Sequence, residues 1–182
     1  NAAEIIVSAA DGSTSRTTED WTSLGNAFRV TAPTMLHRWR QRVEVTAGTR
    51  LAWTVYTSTD GQAWEMVRTE RGAAVAGEWQ DSPELDVPLR EGEWIEFAVG
   101  TLGEGARFWY DGSPPIGTEQ GPLTLQGYVG GRALGDGVSA VNVEYSFEAK
   151  VYVTDLEDAD DDGLTETCGD CGPLDATVGE GA

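Results

Sequence analysis

The chain reads as an all-β protein: an antiparallel two-sheet β-sandwich, jelly-roll-like, with an irregular acidic tail. Three observations predict this. Between Ala3 and Thr154, β-branched and aromatic residues alternate with polar ones at period two; Gly, Pro, Asp and Asn clusters punctuate the alternating runs; and apolar residues do not recur at helical spacing. Successive side chains of a strand point to opposite faces, so alternation marks a strand that turns one face to a core. About ten short strands joined by Gly- and Pro-bearing connections, with no helices between them, favour two packed sheets over a parallel α/β arrangement.

The first candidate strand is Glu4 to Ala9, an apolar run at the extreme terminus followed by the polar stretch Asp11 to Asp20. Asn26 to Thr31 and Met35 to Thr46 follow, the latter carrying His37 with Trp39, Val43 and Val45 at alternate positions, where a packed imidazole is expected. Leu51, Trp53 and Val55 alternate with Ala52, Thr54 and Tyr56. Thr59-Asp60-Gly61-Gln62 then reads as a hairpin turn, because Asp-Gly accepts the positive φ a tight turn needs, and it leads into a strand with Trp64, Met66 and Arg68. Leu85 to Leu89, a run in which Ile95, Phe97 and Val99 alternate with Trp94, Glu96 and Ala98, Ala106 to Tyr110, and Leu123 to Val129 complete the middle of the chain. Asp111 to Gly121, with Pro114 and Pro115, is a loop. The clearest alternation is the last: Val141, Val143, Tyr145, Phe147, Ala149, Val151 and Val153 on one face of a single half-buried strand.

Thirty-one acidic against twelve basic residues give a net charge of -19. That field repels nucleic acid and anionic membrane surfaces, so neither is an expected partner. Eleven of the basic residues are Arg, and Lys150 is the one Lys. No apolar run approaches the roughly 18 residues that span a bilayer. The sequence opens at Asn1 without an initiator Met, for which removal of a signal peptide is the simplest account, and a secreted or cell-surface location is therefore expected.

Composition changes abruptly after Thr154, dividing the chain into a sandwich domain, residues 1–154, and a tail, residues 155–182. The tail carries ten acidic residues and no Lys, Arg or His, leaving -9 on the sandwich. Carboxylates at that density repel one another unless cations neutralise them. Asp158, Asp160 and Asp162 stand at alternate positions before Gly163, the opening of an EF-hand-type calcium loop. As the loop wraps, the alternate Asp residues converge on one hard cation, the Leu164 carbonyl adds an oxygen, and Glu166 binds directly or through water. An all-oxygen set suits calcium over zinc or copper. Gly169 occupies the place of the closing bidentate Glu, so the last ligand must come from elsewhere, with Asp170 and Asp175 as candidates. Cys168 and Cys171, the two cysteines of the chain, allow either a local disulfide in an oxidising compartment or a free pair; a thioredoxin-like or zinc context is missing around them.

The segment Asp158 to Ala182 also resembles the MopE-type metal-binding repeat of secreted bacterial proteins, which runs Asp-x-Asp-x-Asp-Gly, Gly-Asp-Cys-Asp-Asp-x-Asp, Val-x-Pro-Gly-Ala. Gly169-Asp170-Cys171, Asp175, Val178 and Gly181-Ala182 match. Gly172 and Pro173 replace the paired Asp, Glu180 replaces the Pro, and Cys168 is additional. The segment is similar also to thrombospondin-type calcium repeats. The resemblance implies secretion and metal binding and says nothing of the sandwich.

Catalysis is not expected. His37 is the sole histidine, no Gly-x-Ser-x-Gly elbow accompanies it, and acidic pairs are too abundant by composition to single out a glycosidase couple. Two binding classes remain. One is a structural or adhesive subunit of an extracellular filament, matrix or coat: Ile5, Ile6 and Val7 form a strand able to pair in its own sheet or in a neighbour's, and Arg38, Arg40 and Arg42 form a basic row on one strand face. Self-association is then the expected partnership. The other is a carbohydrate-binding module using Trp109 and Tyr110 as a stacking platform for polysaccharide.

Overall fold

The computed structural model describes residues 5–8, 12, 14–113, 116–134 and 138–156. Fourteen strands lie in these residues: β1 (Ile5–Ser8), β2 (Thr14–Thr17), β3 (Thr22–Val30), β4 (Thr34–Glu44), β5 (Arg50–Ser58), β6 (Glu65–Ala73), β7 (Trp79–Asp81), β8 (Val87–Leu89), β9 (Trp94–Leu102), β10 (Arg107–Asp111), β11 (Glu119–Gln120), β12 (Leu123–Arg132), β13 (Ser146–Phe147) and β14 (Ala149–Asp155). They form the two antiparallel sheets that the alternation predicts. The first runs β1-β14-β4-β10-β13, with β2 added on β10 and β7 and β8 on β4; the second runs β11-β12-β3-β9-β5-β6. The chain crosses between sheets at nearly every long connection, so most neighbours within a sheet, apart from the β5–β6 and β11–β12 hairpins, are distant in sequence.

Inward residues of both sheets meet in one core. Trp39 of β4 stands edge-on to Trp53 of β5, with centroids 5.3 Å apart, and tilts against Phe97 of β9 at 5.7 Å. Phe28, Leu36, Val43, Leu51, Val55, Phe108 and Val151 fill the space around them. Offset and edge-on contacts align the positive ring edge with a negative face, which adds to the area these rings remove from water. Asn26 and Gln41 are polar residues in this layer; Gln41 Nε2 donates to the Leu24 carbonyl at 3.4 Å. Asn26 Nδ2 donates to the Phe147 carbonyl and its Oδ1 accepts from the Phe147 N–H, each at 2.8 Å, tying β3 of one sheet to β13 of the other. An amide is a fit for this post because it offers one donor and one acceptor to the C=O and N–H of a single residue.

The β5–β6 hairpin forms as the Asp-Gly signal predicts, with a longer loop, residues 59–64, that includes Trp64. Gly61 takes φ +72, and Asp60 Oδ1 accepts from the N–H groups of Gln62 and Ala63 at 2.8 and 3.0 Å. Those bonds hold the Asp60 carboxyl below its usual range.

Two expectations need correction. His37 does not share the inward face with Trp39. A register shift opposite Tyr152 and Val153 makes His37 the extra residue of a β-bulge, so Leu36 and Trp39 both face inward and His37 is turned out, half-buried. The predicted strand from Val141 to Val153 is also interrupted. Asn142 makes a lone bridge to Tyr128, Ser146–Phe147 pairs with β10, and only from Ala149 does the chain run beside β4; Val143 is 61% exposed.

Candidate interaction surfaces

β1 lies at the edge of the first sheet, pairing with β14 through Ile5↔Val153, Ile6↔Tyr152, Val7↔Val151 and Ser8↔Lys150. The strand expected at Ile5, Ile6 and Val7 is therefore present and seated within its own sheet. β14 has β4 on its other side, so β1 covers an edge that would otherwise expose main-chain donors and acceptors.

Beyond the bulge, Arg38, Arg40 and Arg42 project from the outer face of β4, as the sequence pattern implies. Each guanidinium lies over an aromatic ring: Arg38 over Tyr152 with Cζ 3.9 Å from the centroid, Arg40 over Trp79 at 5.0 Å, Arg42 over Trp109 at 4.0 Å. Lys150 reaches Trp79 from the neighbouring strand at 5.8 Å. Carboxylates complete the lattice. Asp81 lies 3.3 Å from Arg38 and 3.5 Å from Arg40, Glu84 lies 3.8 Å from Arg38, and Arg42 holds Glu78 at 2.7 Å and Glu148 at 3.0 Å. The two carboxylates raise the Arg42 pKa, Glu148 foremost. The row is thus paired within the sandwich, where stacking and ion pairing fix planes that would otherwise sweep through solvent. Trp79 belongs to a three-residue strand whose register on β4, Arg42↔Trp79 to Arg40↔Asp81, supplies a ring and an acid to the row. No alternation marks so short a strand, so the sequence did not point to it.

His37 joins three elements. Its Nδ1 lies 2.8 Å from Asp86 Oδ1 and its Nε2 2.9 Å from Thr154 Oγ1. Asp86 carries φ +47, a left-handed value that a non-glycine residue seldom adopts. If Asp86 accepts from Nδ1–H, Nε2 is left to accept the Thr154 hydroxyl proton. Thr154 itself sits within the β14–β4 ladder opposite Met35, and its carbonyl accepts from Thr34 Oγ1 at 2.7 Å.

Trp109 and Tyr110 are neighbours on β10 and point to opposite faces. Trp109 lies under Arg42 on the outer face. Tyr110 packs on the other side with Tyr145 at 4.9 Å and Phe147 at 6.5 Å. The two rings do not share a platform. Tyr145 stacks on Tyr128 at 4.0 Å and 14°, and its hydroxyl accepts from Arg16 Nη1. Burial, with the Tyr145 hydroxyl second, pushes the Tyr128 phenol up to about 12. A groove of 380 Å³ beside β6, lined among others by Val67, Arg68, Asp86, Pro88, Arg90 and Glu93, contains no aromatic ring.

Glu96 is a further unforeseen residue. Ile95, Phe97 and Val99 of β9 face the core, so Glu96 faces outward, yet it is 2% exposed and its Oε2 has no hydrogen-bond partner among the described residues. Desolvation pushes its carboxyl up to about 8. The second sheet is buried on both faces here: Ala27, Ala52 and Ala98 are covered as well, and Ala133 and Leu134 pack on Ala52 and Leu102.

The expected metal ligands Asp158, Asp160, Asp162, Leu164, Glu166, Asp170 and Asp175, and the pair Cys168 and Cys171, lie outside the described residues. Among the described residues no three His, Cys, Asp or Glu side chains converge as a metal site.

These features define an all-β sandwich with a paired basic row and a covering N-terminal edge strand. No family model and no curated protein matches the chain. Among solved structures it is similar to the clostridial cysteine protease Cwp84 after propeptide cleavage, with a TM-score of 0.52 and 12% identity over 77% of this chain and 37% of that one. A second structure, the cysteine protease and lectin-like domains of Cwp84, a surface layer associated protein of Clostridium difficile, gives a TM-score of 0.49 and 11% identity over 76% of this chain and 33% of that one. This chain therefore spans about a third of the length of either matched chain. At such identity the first likeness shows the fold alone.

Proposed function

We propose that the chain is a secreted or cell-surface, non-catalytic, calcium-binding β-sandwich that serves as a structural or adhesive subunit of an extracellular filament, matrix or coat. The observation that carries this reading is the N-terminal edge: β1 is the outermost strand of its sheet and is held by four residue pairs on β14. A strand so placed makes the same main-chain bonds with the β14 of a second copy, and such exchange propagates when it does not close on itself. The tail supports the reading through charge. Subunits at -19 repel, and a cation held by Asp158, Asp160 and Asp162 removes part of that repulsion where the chain leaves β14.

Two other readings are weaker. The Thr154–His37–Asp86 chain has the order of a nucleophile relay, but Thr154 lies in an extended ladder, where N–H groups serve neighbouring strands and do not converge on one point as an oxyanion cradle requires. It acts as a clamp between β4, β14 and the β7–β8 connection. Sugar binding through Trp109 and Tyr110 suffers from their opposite orientation. Sedimentation and negative-stain microscopy of the full chain in calcium, then in chelator, test the proposal. Calcium-dependent polymers are expected; a chain that stays monomeric at high calcium and concentration yet is retained on polysaccharide overturns it in favour of a carbohydrate-binding module.

A further inference from the structure

Gly12, the described residue between β1 and β2, touches the first sheet. Its carbonyl accepts from Arg42 Nη1 at 3.4 Å, and the same nitrogen donates to Glu148 Oε2 at 3.0 Å. The remaining Arg42 donors, Nε and Nη2, hold Glu78 Oε2 at 2.9 and 2.7 Å, while the guanidinium rests 4.0 Å above the Trp109 ring. A planar group fixed by a ring below and by carboxylates on two edges presents the second Nη1 N–H in a preset direction. The chain approaches this pair closely because residue 12 has no side chain: a Cβ there would stand 2.2 Å from Glu148 Oε2 and 3.0 Å from Glu148 Cβ. The contact also divides the connection between β1 and β2. On one side Thr14 pairs with Tyr110 of β10, within the body; on the other Ser8 pairs with Lys150 of β14, at the exchangeable edge.

We propose that Gly12, Arg42 and Glu148 form an autoinhibitory latch that keeps β1 on the β14 edge of its own copy. The inference rests on the strand-exchange reading of that edge and supplies its regulation. With the latch closed, the short connection holds β1 at a high effective concentration beside Lys150 to Val153. With it open, β1 swings on β2, and the edge becomes available to the β1 of a second copy. Among the described residues, Arg42 differs from Arg38 and Arg40 in having a main-chain acceptor outside its own strand and outside the strands that flank it.

The test uses Gly12→Val in the full chain, with hydrogen exchange followed by mass spectrometry over residues 5–8 and 150–153, and sedimentation in calcium. Exchange at both segments is expected to speed by about twofold to fivefold, the low end of what one hydrogen bond contributes because the Nη1 contact is long at 3.4 Å, and assembly to begin at a lower protein concentration. Arg42→Lys keeps the charge but not three fixed directions, and is expected to shift both readouts the same way. It decides the matter if Gly12→Val proves unfolded. Unchanged protection of residues 5–8 in the folded variants overturns the latch. Faster exchange in a chain that stays monomeric in calcium supports the latch and overturns the strand-exchange reading of assembly.

Discussion

Glu96 offers a quantitative prediction because it is buried and its Oε2 has no hydrogen-bond partner among the described residues, which sets the sign of the effect. The carboxyl titrates near 4.5 in an ordinary setting and is pushed up to about 8 by burial on β9. Below 4.5 both folded and unfolded chains carry the proton, and Glu96 contributes no pH dependence. Above it the unfolded chain ionises while the folded chain keeps its proton, so stability falls as pH rises, and the fall levels off above about 8. At about 1.4 kcal/mol per pH unit, the loss accumulated by about pH 7 is about 3 kcal/mol. Glu96→Gln keeps the shape and removes the ionisation. Urea unfolding of both proteins from about pH 4 to 8 gives the difference in unfolding free energy, in which the many other carboxylates cancel. The difference is expected to move toward Gln by about 3 kcal/mol between about pH 4.5 and 7. A difference independent of pH refutes the assignment of Glu96 as a neutral buried acid.

Other expectations are simpler. Asn26→Leu strands the Phe147 N–H and C=O between the sheets, and a loss of about 2–5 kcal/mol is expected by denaturant unfolding. Gly25→Ala places a Cβ 2.1 Å from the Phe97 carbonyl oxygen and 2.6 Å from Ala98 Cα, both backbone, so β3 and β9 must separate; a loss of about 1–3 kcal/mol or more is expected in the same assay. Calcium added to metal-free protein is expected to release or absorb heat and to raise the melting temperature, and Asp160→Ala to weaken binding more than Asp161→Ala, which lies off the alternating ligand positions. Equal effects in calorimetric titration would indicate a diffuse ion cloud in place of a site.

Most of the sandwich was legible because its physics is local. Leu51, Trp53 and Val55 alternate, Asp60-Gly61 turns, and the hairpin between β5 and β6 follows. What alternation does not encode is the partner. From Asn142 to Asp155 one alternating run serves β12, then β10, then β4 on one edge with β1 on the other, and its breaks fall where the partner changes. A bulge is equally silent: one added residue at His37 reverses which side chains face inward, and no residue type announces it. The row of Arg38, Arg40 and Arg42 was visible by spacing, whereas Trp79 and Glu148, which stack on it or pair with it, come from a three-residue strand and from the step between β13 and β14. Glu96 looked like a solvent-facing residue by its place in the alternation, and the covering of the second sheet's outer face reverses that.

Whether copies exchange β1 can be read directly from a mixture of isotope-light and isotope-heavy chains, each carrying Ser8→Cys and Lys150→Cys at positions that face one another across β1 and β14. The mixture is assembled in calcium, oxidised and digested, and the linked peptides are weighed. Exchange between copies predicts that about half of the linked peptides in assembled material join a light to a heavy chain, as random pairing requires for heterologous contacts. Assemblies in which every disulfide between the two substituted positions is light-light or heavy-heavy would show β1 still seated in its own sheet and would contradict the account.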